Sequence, residues 1–152
     1  MTPTECINDC QIIIVDDDQL VRDFAVHTIE YGTNRKAVTF DSGFKAWQFI
    51  QESPHEADIV IADANIPDMD GMELLRRVKQ EYPLKKFIIT TSNPSLETEA
   101  KQLGADAFLT KPYDINDLFA VVDKFFSADD QSRPTKVAIF PNNSETQTTD
   151  GE

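Results

Sequence analysis

The sequence predicts a doubly wound α/β fold of the (βα)5 type, a five-stranded parallel sheet with helices on both faces. Short apolar, β-branched runs recur five times, each followed by a segment with helical spacing. Two of them, Ile12-Ile13-Ile14-Val15 and Ile59-Val60-Ile61-Ala62, do not alternate with polar residues, as expected of strands covered on both faces. Parallel neighbours also need a crossover, which a helix between consecutive runs supplies.

In order, the first strand is Gln11 to Val15, and Asp18 is placed to cap the helix carrying Leu20, Phe24, Thr28 and Tyr31. Ala37 to Phe40 precedes a helix with Phe44, Trp47 and Ile50, where Trp47 is assigned to the core. Ile59 to Ala62 precedes a helix with Met72, Leu75 and Val78; Asp70 followed by Glu73 is its capping pattern. Phe87 to Thr91 precedes a helix with Leu96, Ala100 and Leu103, ended by Gly104 in a left-handed turn. Ala107 to Leu109 precedes the last helix, whose stripe of Ile115, Leu118, Phe119 and Val122 is assigned to the core, leaving Val121 and Phe125 as candidates for a partner surface.

The 152 residues make one domain the expectation, spanning 1–126. Residues 127–152 are rich in Ser, Thr, Asn, Asp and Gln and read as a mostly flexible polar tail. Its one apolar patch, Val137-Ala138-Ile139-Phe140, either docks as an extra strand or belongs to a disordered stretch or linker. Fourteen Lys and Arg stand against 27 Asp and Glu, a formal charge of -13, so nucleic acid and anionic membrane surfaces are excluded as direct ligands on electrostatic grounds. No apolar run approaches the ~18 residues of a membrane span, and Cys6 and Cys10 have no partners for a zinc set. They read as ordinary thiols in a reducing cytoplasm.

Chemistry is expected where parallel strands end. The first strand runs into Asp16-Asp17-Asp18 and the third ends in Asp63, which gathers carboxylates at one edge of the sheet. Two carboxylates ~4 Å apart repel by roughly 4 kcal/mol at an effective dielectric of ~20. A positive group must lie between them, either a hard divalent cation such as Mg²⁺ or Lys111 just past the fifth strand. Each aspartate alone is unremarkable. Together with Thr91 and Ser92 after strand four and Lys111-Pro112 after strand five, they form a set suited to phosphoryl transfer.

Over about residues 10–126 the chain resembles the receiver domain of two-component response regulators, of the chemotaxis-type single-receiver kind. The resemblance rests on Ile12-Ile13-Ile14-Val15-Asp16-Asp17-Asp18 with Arg22, Asp63-Ala64-Asn65-Ile66-Pro67-Asp68-Met69-Asp70-Gly71, Ile89-Thr90-Thr91-Ser92 and Lys111-Pro112-Tyr113. It implies a flavodoxin-like sheet of order 2-1-3-4-5, with Asp63 as phosphoacceptor and Asp16 and Asp17 as the acidic pair of a Mg²⁺ site that Mn²⁺ also fills. By the same resemblance Asn65 lends its backbone carbonyl to the metal, Lys111 grips the phosphoryl group, Thr91 is the switch hydroxyl and Phe108 the switch aromatic. A histidine kinase or histidine phosphotransfer protein is then the donor, and a downstream protein the effector. Lys111-Pro112 falls where the family places a cis peptide. The stretch from Thr91 to Lys111 is short for the family, and Pro94 with Ser95 predicts a late start of the fourth helix.

Two other classes compete. A haloacid-dehalogenase-type phosphatase also uses an Asp nucleophile with Mg²⁺, but its second acid would stand at the position of Asn65, and a cap domain is lacking. A pseudo-receiver typically loses an acidic residue, whereas this chain keeps them all. The expectation is therefore a signalling switch rather than an enzyme, with only self-phosphorylation and self-dephosphorylation as chemistry. His27 and His55 lie away from the acidic set and are given no catalytic part.

Overall fold

The computed structural model describes residues 11–33, 35–126 and 137–140. Cys6, Cys10 and most of the predicted tail lie outside the described residues. The elements run β1 (Gln11–Val15), α1 (Gln19–Thr33), β2 (Lys36–Phe40), α2 (Gly43–Glu52), β3 (Ala57–Asp63), α3 (Gly71–Glu81) and β4 (Lys86–Thr91). After a 3-10 turn at Pro94–Leu96 come α4 (Glu97–Gln102), β5 (Ala107–Thr110), α5 (Ile115–Phe126) and β6 (Val137–Ile139). The five expected strands pair in parallel in the order 2-1-3-4-5. One strand is added to that expectation: β6 pairs antiparallel with β5 at the sheet edge, so the apolar patch of the predicted tail is a strand.

The uninterrupted apolar strands are explained by the two cores. Ile13, Val15, Val60, Ala62, Phe87 and Ile89 face one way, against Trp47 and Ile50 of α2 and Leu74, Leu75 and Val78 of α3. Ile12, Ile14, Ile59, Ile61 and Ile88 face the other, against Ala25 and Ile29 of α1 and Leu118, Val121 and Val122 of α5. Successive strand side chains alternate faces, and helices cover both, so every position must be apolar.

Helix faces depart from the sequence reading at particular residues. Leu20 and Tyr31 of α1 are 79% and 87% exposed, and the buried face is Ala25, Thr28 and Ile29. In α5, Val121 is fully buried and is no partner surface, while Ile115 is 56% exposed and is not core. Phe125 is half-buried, packed on the cluster that holds Val121. The true stripe steps 118, 121, 122, 125, the three-and-four spacing of one helix face, and the polar start of the helix leaves Ile115 outside it. Phe44 is likewise exposed.

Cap positions follow the sequence. Asp70 accepts from the Glu73 N–H at 2.9 Å and Asp18 from the Leu20 N–H at 3.0 Å. Gly104 has φ of 104°, the left-handed conformation that ends α4. The latter helix has only six residues after the 3-10 turn, in line with its late start.

Candidate functional site

Register brings the acidic residues together. Val15 of β1 pairs with Ala62 of β3, so the next residue of each strand, Asp16 and Asp63, emerges beside the other at the carboxyl edge of the sheet. Both are buried. Lys111, just beyond β5, places its Nζ 2.8 Å from Asp16 Oδ2 and 2.8 Å from Asp63 Oδ2. The remaining oxygens are held by backbone: Asp16 Oδ1 accepts from the Asp18 N–H at 2.9 Å, and Asp63 Oδ1 from the Asn65 N–H at 3.0 Å. Arg22 donates to the Asp16 carbonyl at 2.7 Å, anchoring the first turn of α1 to the end of β1. The Lys111-Pro112 peptide is cis.

Exposed Asp17 completes the cluster: one carboxylate oxygen from each of Asp16, Asp17 and Asp63 lies within 4.8 Å of the others. Three carboxylates facing one lysine leave a local negative excess. Burial raises the pKa of the Asp16 carboxyl, and the hydrogen bond from Lys111 counters it only in part. Burial works against the charge of Lys111, but its hydrogen bonds to Asp16 and Asp63 outweigh this and hold it firmly protonated. An all-oxygen, acid-rich donor set with an open side suits a hard divalent cation, so these residues fit such an ion.

The loop after Asp63 is shaped by close contacts. A Cβ on Gly71 would lie 2.2 Å from the Asp63 carbonyl oxygen, so only glycine lets α3 begin this close to β3. Its N–H donates to the Ala64 carbonyl at 3.0 Å. Asp68 in the same loop caps α2 from outside: it accepts from the Ser42 hydroxyl and from the N–H groups of Gly43 at 3.1 Å and Phe44 at 3.3 Å. Slight burial acts against its charge, yet these bonds and that of the Met69 N–H hold its carboxyl down at about 2. Sequence reading missed this tie, because Ser42 and Asp68 are far apart in the chain.

Thr91 ends β4 fully buried; its hydroxyl accepts from the Asn93 N–H at 3.1 Å and its carbonyl from the Lys111 N–H at 2.8 Å. It is thus joined to the cluster through the backbone of Lys111. Phe108 lies apart, buried in the core and paired in register with Ile89. Beside Lys111 opens an apolar groove of about 470 Å³ that includes Leu20, Val21, Phe24, Pro112 and Tyr113. Burial pushes the Tyr113 hydroxyl up to about 12. The sequence placed Leu20 only within the helical spacing of α1; an apolar residue two positions after the capping Asp18 was the available signal for this groove.

Comparison with known proteins gives one consistent picture. Residues 12–123 match the response regulator receiver domain family. The chain is 33% identical over 129 residues to the DNA-binding transcriptional regulator NtrC of Klebsiella pneumoniae, covering 83% of this chain and 27% of the regulator. It is 31% identical to the sensor kinase CckA of Brucella abortus, covering 84% of this chain and 14% of the kinase. The chain therefore spans about a quarter or less of these relatives. Among solved structures, the chemotaxis response regulator CheY4 of Vibrio cholerae is similar with a TM-score of 0.69 and 25% identity, covering 76% of this chain and 98% of that one.

Proposed function

Because the chain belongs to the response regulator receiver domain family, we propose that its working event is transfer of a phosphoryl group to the Asp63 carboxylate. The observation that carries this reading is the bridge of Lys111 between Asp16 and Asp63 beneath an open cluster of three carboxylates. A carboxylate oxygen of Asp63 forms the new O–P bond as the P–N bond of a phosphohistidine, or the P–O bond of acetyl phosphate, breaks. Positioning and charge neutralisation govern such transfers. The Asn65 N–H fixes one Asp63 oxygen, and Lys111, already protonated and in contact, supplies a cation to the incoming group.

Asp16, Asp17, Asp63 and the Asn65 carbonyl would hold Mg²⁺, or Mn²⁺ in its place. Such an ion would neutralise the carboxylate cluster and supply positive charge for the incoming phosphoryl group. The chemistry is self-directed, without turnover of outside substrates. Asn65, at the place where a phosphatase would have its general acid, has no proton of that kind to give. We assign the donor to a histidine kinase or histidine phosphotransfer protein of the cytoplasm and the output to a protein effector. The groove at Leu20, which Lys111 also lines, would give the donor an apolar footing beside the cluster's lysine.

Mass spectrometry after incubation with acetyl phosphate and Mg²⁺ tests the reading. One addition of about 80 Da is expected, lost in Asp63→Asn, with no turnover of a generic phosphate ester. Labelling of Asp63→Asn, or sustained ester hydrolysis, would reject it. Leu20→Asp should slow transfer from a phosphohistidine protein while leaving labelling by acetyl phosphate unchanged.

A further inference from the structure

The parallel sheet would leave β5 as an edge, with a row of N–H and C=O groups open to any extended chain. Here that edge is covered by the chain's own β6. Ala107 pairs with Ile139, Phe108 with Ala138 and Leu109 with Val137. Past the strand, the Phe140 N–H donates to the Asp106 carbonyl at 2.9 Å, its side chain packs on the core cluster that contains Phe108, and Lys101 Nζ lies 5.6 Å from its ring centroid.

We propose that Val137–Phe140 is an intramolecular latch on the β5 edge whose docking is linked to the chemical state of Asp63. The inference rests on the phosphoacceptor reading above and extends it to a segment outside the matched residues. Three observations carry it. The covered strand is four residues long and leads directly into Lys111, which holds Asp16 and Asp63. The last pair of the β6 ladder, Leu109 with Val137, lies two residues from that lysine. On its other side β5 is paired with β4, and the Lys111 N–H is bound to the carbonyl of Thr91. A phosphoryl group on Asp63 gives the Lys111 ammonium a new anionic partner and so changes the pull on the end of β5. A three-residue ladder at a sheet edge is the part of the molecule with least to lose on opening. Linkage is reciprocal: if the modified site disfavours the latch, the latch disfavours the modified site.

The test compares the full chain with its Ala138→Pro/Phe140→Pro double variant, which removes the two N–H groups that β6 and the residue after it turn toward β5, that of Ala138 opposite Phe108 and that of Phe140 on the Asp106 carbonyl. Amide hydrogen exchange of Phe108, the β5 residue whose N–H turns toward β6 while that of Lys111 turns toward β4, is followed with and without Mg²⁺ and beryllofluoride, whose binding is monitored separately by fluorine resonance. In the unliganded parent this amide should be protected, and beryllofluoride should speed its exchange by about ten-fold or more. The double variant should exchange at the fast level throughout and bind beryllofluoride several-fold more tightly. Phe140→Ala should move both readouts in the same direction by less. Equal protection in parent and double variant would overturn the latch. Beryllofluoride binding with unchanged β5 exchange would overturn the linkage and leave the Asp63 reading standing. Failure of beryllofluoride to bind either protein would reject the Asp63 reading, and the linkage with it, while β6 pairing would still be read from the unliganded proteins.

Discussion

Asp16 and Asp63 are stable as buried neighbours because each splits its two oxygens between a backbone N–H and Lys111. Asp17 has no such share in the lysine and adds an exposed charge to the cluster. Asp17→Ala should therefore relieve like-charge repulsion without touching the core, so thermal stability should hold or rise. Mg²⁺ affinity should fall by about ten-fold or more, since a hard cation loses one of few carboxylate ligands. Unchanged affinity in a calorimetric titration would remove Asp17 from the metal set. These residues were legible in the sequence because they stand at or just past strand ends, and strand ends of a parallel sheet share an edge. Asp68 was not, since its bonds to Ser42, Gly43 and Phe44 depend on how the loop after β3 folds back on α2.

At the scale of elements, the Asp68 tie joins the loop after β3 to the N-terminus of α2. Its carboxyl lies at about 2, against an ordinary value of 3.8. A carboxyl lowered by folding contributes stability that is present above its unfolded value and lost as pH falls through its folded value. The contribution should fade between pH 3.8 and about 2, and its size is small because the group is largely exposed. Carboxyl resonances should show Asp68 titrating near the lower value, and Asp68→Asn should flatten that part of the acid-stability curve. A midpoint at the ordinary value would mean that the tie does not hold in solution. Strand positions were readable at this scale because burial on both faces forces uniform apolarity. Helix faces were less so: Leu20 and Ile115 share the spacing of their helices' apolar residues, yet they stand in the first turn and are exposed. The strand β6 was legible only as one of two alternatives, because three residues pair there through register with β5 rather than through a pattern of their own.

Across the whole molecule, the carboxyl edge of the sheet connects to its interior through β4 and β5. Thr91 is fully buried at the end of β4, one residue after Thr90, whose carbonyl accepts from the Ala64 N–H at 2.8 Å. Phe108 pairs with Ile89 two residues before Thr91, so the β4 end and the aromatic ring are joined through two adjacent strands. In this structure the Thr91 hydroxyl is engaged by the Asn93 N–H. To read a phosphoryl group on Asp63 it must turn toward that group, and a hydrogen bond to a charged oxygen is worth about 1.5 to 3 kcal/mol, enough to move a population ratio ten-fold or more. Thr91→Ala should still accept a phosphoryl group on Asp63, because the nucleophile and Lys111 remain, but the distant response should be lost. Thr91→Ser, which keeps the hydroxyl, should retain it and controls for the freed Asn93 N–H. The measurement compares amide chemical shifts of parent and variants with and without Mg²⁺ and beryllofluoride. Large changes near Phe108 and α5 are expected in the parent and Thr91→Ser, and changes confined to the acidic edge in Thr91→Ala. A full distant response in Thr91→Ala would move the coupling to another group, with the hydroxyls of Thr90 and Ser92 next to be tested.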